Sequence, residues 1–431
     1  MKLRIRSVTG RYVVLMTGER LDGRYAKLWA ASTTSALGSG LATVAAPLLI
    51  ASRTDEPLVV SGGFAVAWLP WLLFSLPGGV LVDRVDRRKL MITLDWIRVP
   101  VVALLAVAIS MGNVSIALLY AVLFVINASE VVFRTASGAM LPSIVPKALL
   151  ERANGRLYAG TTLTHGMLSG PLSGFLFGVA ASIPFYVNAG TYAVSALLLG
   201  LIAGAYRSRP GDGTGEPVVR RSMRSEVAEG FRWLAGQRLL RTMIGLIGML
   251  NLTLVAATSV LVLLAKERLQ LGSVGYGLLF TCMAVGGLLG SVMGDRLIAW
   301  CTPTWTLRIG LLIEAATHLV LATSTSAAVV GVILFLFGVH GALWGIVGSS
   351  LRQRLTPPDM LGRVGSTSLF IIAGGNCVGA VLGGAVASKF GLTTPYWAGF
   401  VVAVVVSALT WRVFDRAVVS AAYAQEPAVS R

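Results

Sequence analysis

The strongest constraint on this chain is the spacing of its apolar runs. A helix that crosses a bilayer needs about 20 consecutive, mostly apolar residues. Reading between charged and Pro/Gly-rich breaks places twelve such runs, near 28–50, 60–82, 90–110, 115–137, 157–180, 184–205, 240–264, 275–298, 304–324, 327–350, 363–388 and 395–414. Runs of this length are expected to be helices, because only a helix satisfies its own backbone hydrogen bonds in lipid. Only 13% of the residues are charged, against about 25% in an average soluble domain. That is too few to cover a globular surface with water-facing groups. The expected fold class is therefore all-α integral membrane, with twelve transmembrane helices.

The formal net charge is +17, a value that raises the question of nucleic acid. The location of the charges argues against it. Only Arg53, Lys266, Arg268 and Lys389 lie in the loops after odd-numbered runs, and nearly all other Lys and Arg lie in the termini or after even-numbered runs. This is the positive-inside bias, and it predicts a multi-pass protein of a bacterial inner membrane with both termini in the cytoplasm. Cys282, Cys301 and Cys377 are widely spaced and form no C-x-x-C, so they read as buried apolar residues and not as disulfides or metal ligands. Residues 1–27 are basic and only patchily apolar, without the pattern of a cleavable signal peptide, and Met16 is a second candidate start.

Six runs precede residue 206 and six follow residue 239. The chain thus divides into an N-terminal cytoplasmic segment (1–27), a first six-helix bundle (28–205), a cytoplasmic linker (206–239), a second bundle (240–415) and a cytoplasmic tail (416–431). The first part of the linker is rich in Gly and Pro. Its second part sets Val227, Phe231 and Leu234 on one side of a helix, as in an amphipathic helix on the inner membrane surface; a solvated basic linker is the alternative. The halves echo each other: "GGVLVDRV" follows the second run and "GSVMGDRL" (290–297) follows the eighth. Such repeats are typical of transporters with two pseudo-symmetric halves.

The stretch "GGVLVDRVDRRKL" (78–90) resembles the signature loop of the major facilitator superfamily, G-x-L-x-D-R-x-G-R-R-K, at Gly79, Leu81, Asp83, Arg84, Arg87, Arg88 and Lys89, with Asp86 in place of the second glycine. "LWAASTTSALGSGLATVAAPLLI", "LDWIRVP", "MLPSIVPKALLERANGRLY" and "PDMLGRVGSTS" also resemble the bacterial exporter branch that includes siderophore, macrolide and multidrug efflux pumps. The resemblance covers roughly residues 25–415. It implies that the loop is a conformational latch: Asp83 would meet the N-terminal end of the eleventh helix, near residues 362–365, and Arg87 would reach Glu130. Gly78 and Gly79 would allow close packing of the second helix.

In the fifth run, Gly166, Gly170, Pro171 and Gly174 are similar to the antiporter motif G-x-x-x-G-P-x-x-G. Small residues four apart let helix backbones approach, and the proline bends the helix. Ordinary packing and a seam that opens and closes are both consistent with this pattern.

Charges inside a span cost about 2.5–3.5 kcal/mol each at mid-membrane on insertion scales. Asp95 and Arg98 share a face of the third helix, and Glu130 and Arg134 a face of the fourth, by their spacings of three and four. They form either a structural charge network or a proton-coupling device in which Glu130 or Asp95 takes the proton and an arginine sets its affinity. Glu314 is a further proton-coupling candidate. His165, His318 and His340 show no metal-ligand spacing and read as interhelical hydrogen-bonding groups or proton relays. Thr34, Ser39 and Asn376 are cavity candidates, and Trp29, Trp68, Trp71 and Trp344 are either aromatic groups able to stack on a planar compound or, near a helix end, anchors at the membrane interface. No G-x-x-x-x-G-K-[ST], H-E-x-x-H or G-x-S-x-G occurs, so neither an ATP-driven cycle nor an enzyme is expected.

The expectation is a monomeric secondary transporter without cofactor, exporting an amphipathic small molecule against protons across membrane lipid. The alternatives are a dedicated exporter of a cell-made metabolite such as a siderophore or antibiotic, and a non-transporting membrane scaffold or sensor.

Overall fold

A computed structural model describes residues 21–146, 149–206, 223–357 and 360–414. The fold is all-helical, and among the described residues ten helices are long and apolar enough to cross a membrane. The first four spans are α1 (Gly23–Ala51), α2 (Pro57–Arg84), α3 (Arg87–Ser110) and α4 (Ile116–Met140). The fifth expected span is α5 (Leu150–Thr162), a π-helical turn (Leu163–Leu168) and α6 (Ser169–Val179) in succession, and the sixth is α7 (Ile183–Gly200). In the second half, α9 (Arg238–Thr258) and α10 (Leu261–Glu267) form one span. They are followed by α11 (Ser273–Val292), α12 (Gly294–Thr323), α13 (Ala327–Leu355), α14 (Leu361–Phe390) and the 17-residue α15 (Thr394–Thr410).

Local chemistry sets the boundaries. Asp22 caps α1 by accepting from the amides of Arg24 and Tyr25, and Ser115 caps α4 by accepting from Leu118, each satisfying orphan donors of a first turn. Pro57 opens α2, where its missing N–H costs nothing. Within α12, Thr302 takes φ 67° just before Pro303, which separates a short leading helix from the membrane-crossing part.

The connections after odd-numbered spans lie at one end of the bundle, here the odd end, and the connections after even-numbered spans at the other. At the odd end one apolar cluster runs through both halves, from Val44–Ile50 and Leu119–Ile126 to Leu261–Ala265 and Leu321. Lys266 bonds Asp55 at 2.8 Å across the halves there, and Ser388 of α14 bonds Glu56. Toward the even end the clusters separate: one is made only of first-half residues around Met91, Phe133 and Met140, and two only of second-half residues. The halves are thus joined at the odd end, and among the described residues no apolar cluster joins them at the even end.

The linker helix α8 (Met223–Gly236) packs on α14, with Leu234 buried against Ile244, Met360 and Val364 while Phe231 is exposed. Its apolar side is therefore partly used on the second half. The Val227 side chain, and residues 1–20 and 415–431 of the expected terminal segments, lie outside the described residues.

Candidate functional site: two buried acids beside two cavities

The expected charge pairs meet in one network between α3 and α4. Helical spacing of three brings Asp95 Oδ1 to 3.3 Å from Arg98 Nη1, and spacing of four brings Glu130 Oε1 to 2.7 Å from Arg134 Nε. Arg98 joins the pairs, with Nη1 also 3.3 Å from Glu130 Oε2. α1 contributes two hydroxyls: Ser39 donates to Glu130 Oε2 at 3.1 Å, and Ser35 accepts from Arg98 at 3.4 Å. The Arg98 guanidinium lies 4.9 Å from the centre of the Tyr192 ring and 5.2 Å from that of Phe133, so aromatic faces take up part of its charge. Asp95 and Arg98 are completely buried. Two acids and two arginines give a neutral set, which is what makes the burial of Asp95, Arg98 and Glu130 tolerable. Three donor or acceptor atoms, Asp95 Oδ2, Arg98 Nε and Arg98 Nη2, have no hydrogen-bond partner among the described residues.

Arg134 differs from the other three because its side chain is 49% exposed. It borders a cavity of about 290 Å³ between the halves, lined by Ser39 of α1, Trp68 and Trp71 of α2, Asn127 and Glu130 of α4, His165 of the π-helical turn, and Val255 and Thr258 of α9. The guanidinium sits 5.5 Å from the Trp71 ring. The cavity wall is therefore largely apolar and aromatic, with charge on one side.

A second cavity of about 390 Å³ lies in the second half, bordered by Asn251, Glu314, Phe337, His340, Trp344 and Arg352. Here the residue spacing shows one partner of the acid and hides the other. Glu314 on α12 has His318 Nε2 3.6 Å from Oε1, one turn along the same helix, and His340 Nε2 of α13 3.4 Å from Oε2. His340 is 26 positions from Glu314, and only the α12–α13 packing joins them, whereas His318 shares a helix face with Glu314 at a spacing of four. Ser39 lines the first cavity. Asn376 is buried with its Oδ1 unpartnered among the described residues, and Thr34 is half-buried; neither borders a described cavity. Trp29 donates to Arg156 O, away from both cavities.

The glycines of the fifth span face α11 of the other half. A methyl group built on Gly170 would lie 2.6 Å from Gly277 O, one on Gly174 would overlap Ser273 O, and one on Gly166 would touch Ala284 at 3.5 Å. The expected seam is therefore a backbone-to-backbone contact, at the odd end. Pro171 lacks the N–H that would complete the preceding turn, and the π-helical turn at Leu163–Leu168 is the local adjustment.

The loop at 78–90 works differently from the expectation. Asp86, the departure from the family pattern, caps α3 by accepting from Lys89 N at 2.9 Å, and its other oxygen accepts from Tyr206 N at 2.7 Å. Arg88 donates to Leu199 O and Gly200 O at the C-terminal end of α7, where orphan carbonyls and the helix dipole favour a cation. Arg87 donates to Ala139 O at 2.9 Å and does not meet Glu130, whose oxygens are taken by Arg98, Arg134 and Ser39. A methyl group on Gly79 would meet nothing within 4 Å, so close packing falls to Gly78, beside Val132. Arg84 is exposed. The side chain of Asp83, and those of residues 361–363, lie outside the described residues.

The sequence model of a family described as transmembrane secretion effectors, of the major facilitator type, matches residues 22–429. The chain belongs to that family. It is 27% identical over 342 residues to an uncharacterized MFS-type transporter of Mycobacterium tuberculosis, covering 74% of this chain and 73% of the relative. It is also 27% identical over 386 residues to the multidrug efflux pump Tap of the same species, covering 85% and 88%. The fold is shared with the nucleoside transporter NupG, with a TM-score of 0.68 at 11% identity over 91% of this chain and 99% of that one. As a member of this superfamily the chain is a multi-pass membrane transporter.

Proposed function

We propose that the chain exports an amphipathic organic compound in exchange for protons, by alternating access between two pseudo-symmetric halves in a bacterial inner membrane. The observation that carries this reading is the cavity between the halves, walled by Trp68 and Trp71 and edged by the Glu130–Arg134 pair. An apolar aromatic wall with one charged edge suits a compound that is itself apolar with a polar or charged part. The relative named as a multidrug efflux pump supports export as the direction.

The even end, with the basic loops and described ends near both termini, is read as cytoplasmic by the positive-inside bias. The closed odd end and separated even end then correspond to a state that loads from the cytoplasm. Rocking the halves would break the Gly170–Gly277 seam and bring the 78–90 loop toward α14, where Asp83 would act as the latch.

Within the charge network, Asp95 is the proposed acceptor of the coupling proton. Glu130 is held by two arginines, one at 2.7 Å, whereas Asp95 has a single cationic partner, at 3.3 Å, and an oxygen with no hydrogen-bond partner among the described residues. Protonating Asp95 leaves Arg98 still paired with Glu130, and the surplus positive charge falls on Arg134, where the cavity admits water. About 100 mV supplies roughly 2.3 kcal/mol per charge moved, enough for about a 50-fold gradient per proton.

The test is uptake of a panel of amphipathic amines and macrolides into everted membrane vesicles. Uphill accumulation that collapses on adding a proton uncoupler is the expected result, and Gly170→Leu should abolish it at normal expression. Accumulation indifferent to the uncoupler, or no accumulation of any compound, contradicts the reading.

A further inference from the structure

Glu314, His318 and His340 are set into the second half far from the α3–α4 network, and the antiport cycle above makes no use of them. All three side chains are nearly inaccessible, at 4%, 1% and 6% of their surface. Both histidines are fitted into glycine-made recesses. A methyl group on Gly399 of α15 would overlap the His318 ring, and one on Gly310 of α12 would lie 2.5 Å from His340 Nδ1. The Trp344 ring, 6.0 Å from His340, closes the other side and is fixed by its own bond to Leu307 O at 3.1 Å. His318 Nδ1 and Nε2, His340 Nδ1 and Glu314 Oε1 have no hydrogen-bond partner among the described residues.

Among the described residues no other charge reaches the cluster. On α12 the nearest charged residue is Arg308, whose Nη2 donates to Trp411 O at 3.0 Å and whose guanidinium stacks on Trp411. On α13, Arg352 borders the same cavity three turns beyond His340. α15 presents Gly399, and one turn away Tyr396, whose buried hydroxyl is unpartnered; α9 contributes the neutral Asn251. The protonation of the cluster therefore decides its own charge. With no proton it carries −1 and with two it carries +1, and either is an uncompensated charge in a low-dielectric interior. With one proton, shared between the carboxylate and the two imidazoles, it is neutral.

We propose that Glu314, His318 and His340 form a single-proton binding site, loaded through the cavity that Glu314 and His340 border. It adds a second proton-handling position to the antiport proposed above, in the half opposite Asp95. Among the described residues no group of His, Cys, Asp and Glu is arranged to hold a metal ion.

The chain has only three histidines, so the site can be read without any transport assay. Full-length protein labelled with ¹³C,¹⁵N-histidine in detergent micelles would show His165, His318 and His340 as three ring systems in a pH titration. The expected result is one shared step for His318 and His340. In Glu314→Gln, proton occupancy of the two rings at a given pH should fall at least tenfold, with His165 unchanged. His340→Gln, read on His318 alone, repeats the test if the first variant fails to fold: His318 should lose the shared step. Two independent free-imidazole titrations, or no change in either variant, would overturn the site. So would tight Zn²⁺ binding lost in His340→Gln, which would make it a metal site. Because no flux is measured, failure here leaves the export reading standing, and failure of export leaves this site standing.

Discussion

Glu130 and Glu314 are both acids buried beside a cavity, one in each half, and they are neutralised in opposite ways. Glu130 lies between two guanidiniums, Arg98 and Arg134, at 3.3 and 2.7 Å. Glu314 lies between two imidazoles, at 3.6 and 3.4 Å. A guanidinium stays charged at any physiological pH, so Glu130 is held as part of a permanent ion network. An imidazole changes charge near neutrality, so the surroundings of Glu314 can adapt to the presence or absence of a proton. The first arrangement ties α3 and α4 together while leaving Asp95 at its edge to respond. In the second, the whole cluster responds.

That contrast predicts very different sensitivities. Glu130→Gln strands the half-exposed Arg134 and leaves the buried Arg98 with Asp95 alone, and loss of one partner from a buried ion network costs about 3–5 kcal/mol. Glu314→Gln leaves two imidazoles that can both be neutral, and should cost only about 1 kcal/mol, the scale of one lost hydrogen bond. Thermal unfolding of the purified variants in one detergent measures both, and equal losses would erase the distinction. Next, Asp95→Asn should lower uncoupler-sensitive uptake in vesicles at least tenfold while downhill flux persists; loss of both together would make Asp95 structural. A smaller effect separates the cavities. Trp68→Ala, in the inter-half cavity, should raise the KM for a transported amphipath severalfold, and Trp344→Ala should change it less. The reverse order would move the substrate into the second half. The smallest effect concerns the loop. Asp86→Ala should remove a helix cap at a cost of about 1 kcal/mol without touching the coupling ratio.

Much of this arrangement was legible in the linear sequence, for identifiable reasons. Membrane spans announce themselves because lipid demands long apolar helices, and the i,i+3 and i,i+4 rules place Asp95 with Arg98 and Glu130 with Arg134 on shared faces. The glycines at 166, 170 and 174 signal a close helix contact, though not that α11 is the partner. What stayed hidden depends on contacts between helices. His340 reaches Glu314 only through the packing of α12 on α13, and Arg98 joins the two acid pairs only because α3 lies beside α4. The π-helical turn before Pro171 interrupts a span that hydropathy reads as continuous. Asp86 was legible as a cap, since an aspartate just before a helix is a standard N-cap signal, but comparison with the family pattern presented it as a missing glycine. Arg87 went astray for the converse reason: a family-based pairing with Glu130 ignored the arginines nearer to that acid.

The most direct test of the account is proton movement coupled to substrate. Purified protein in proteoliposomes, with a pH indicator inside, is given an outward gradient of a transported amphipath and no initial pH difference. Protons should enter as substrate leaves, a protonophore should abolish the pH change, and Asp95→Asn should remove it while substrate still flows down its gradient. Substrate efflux with no accompanying proton movement in the wild-type protein would contradict the account.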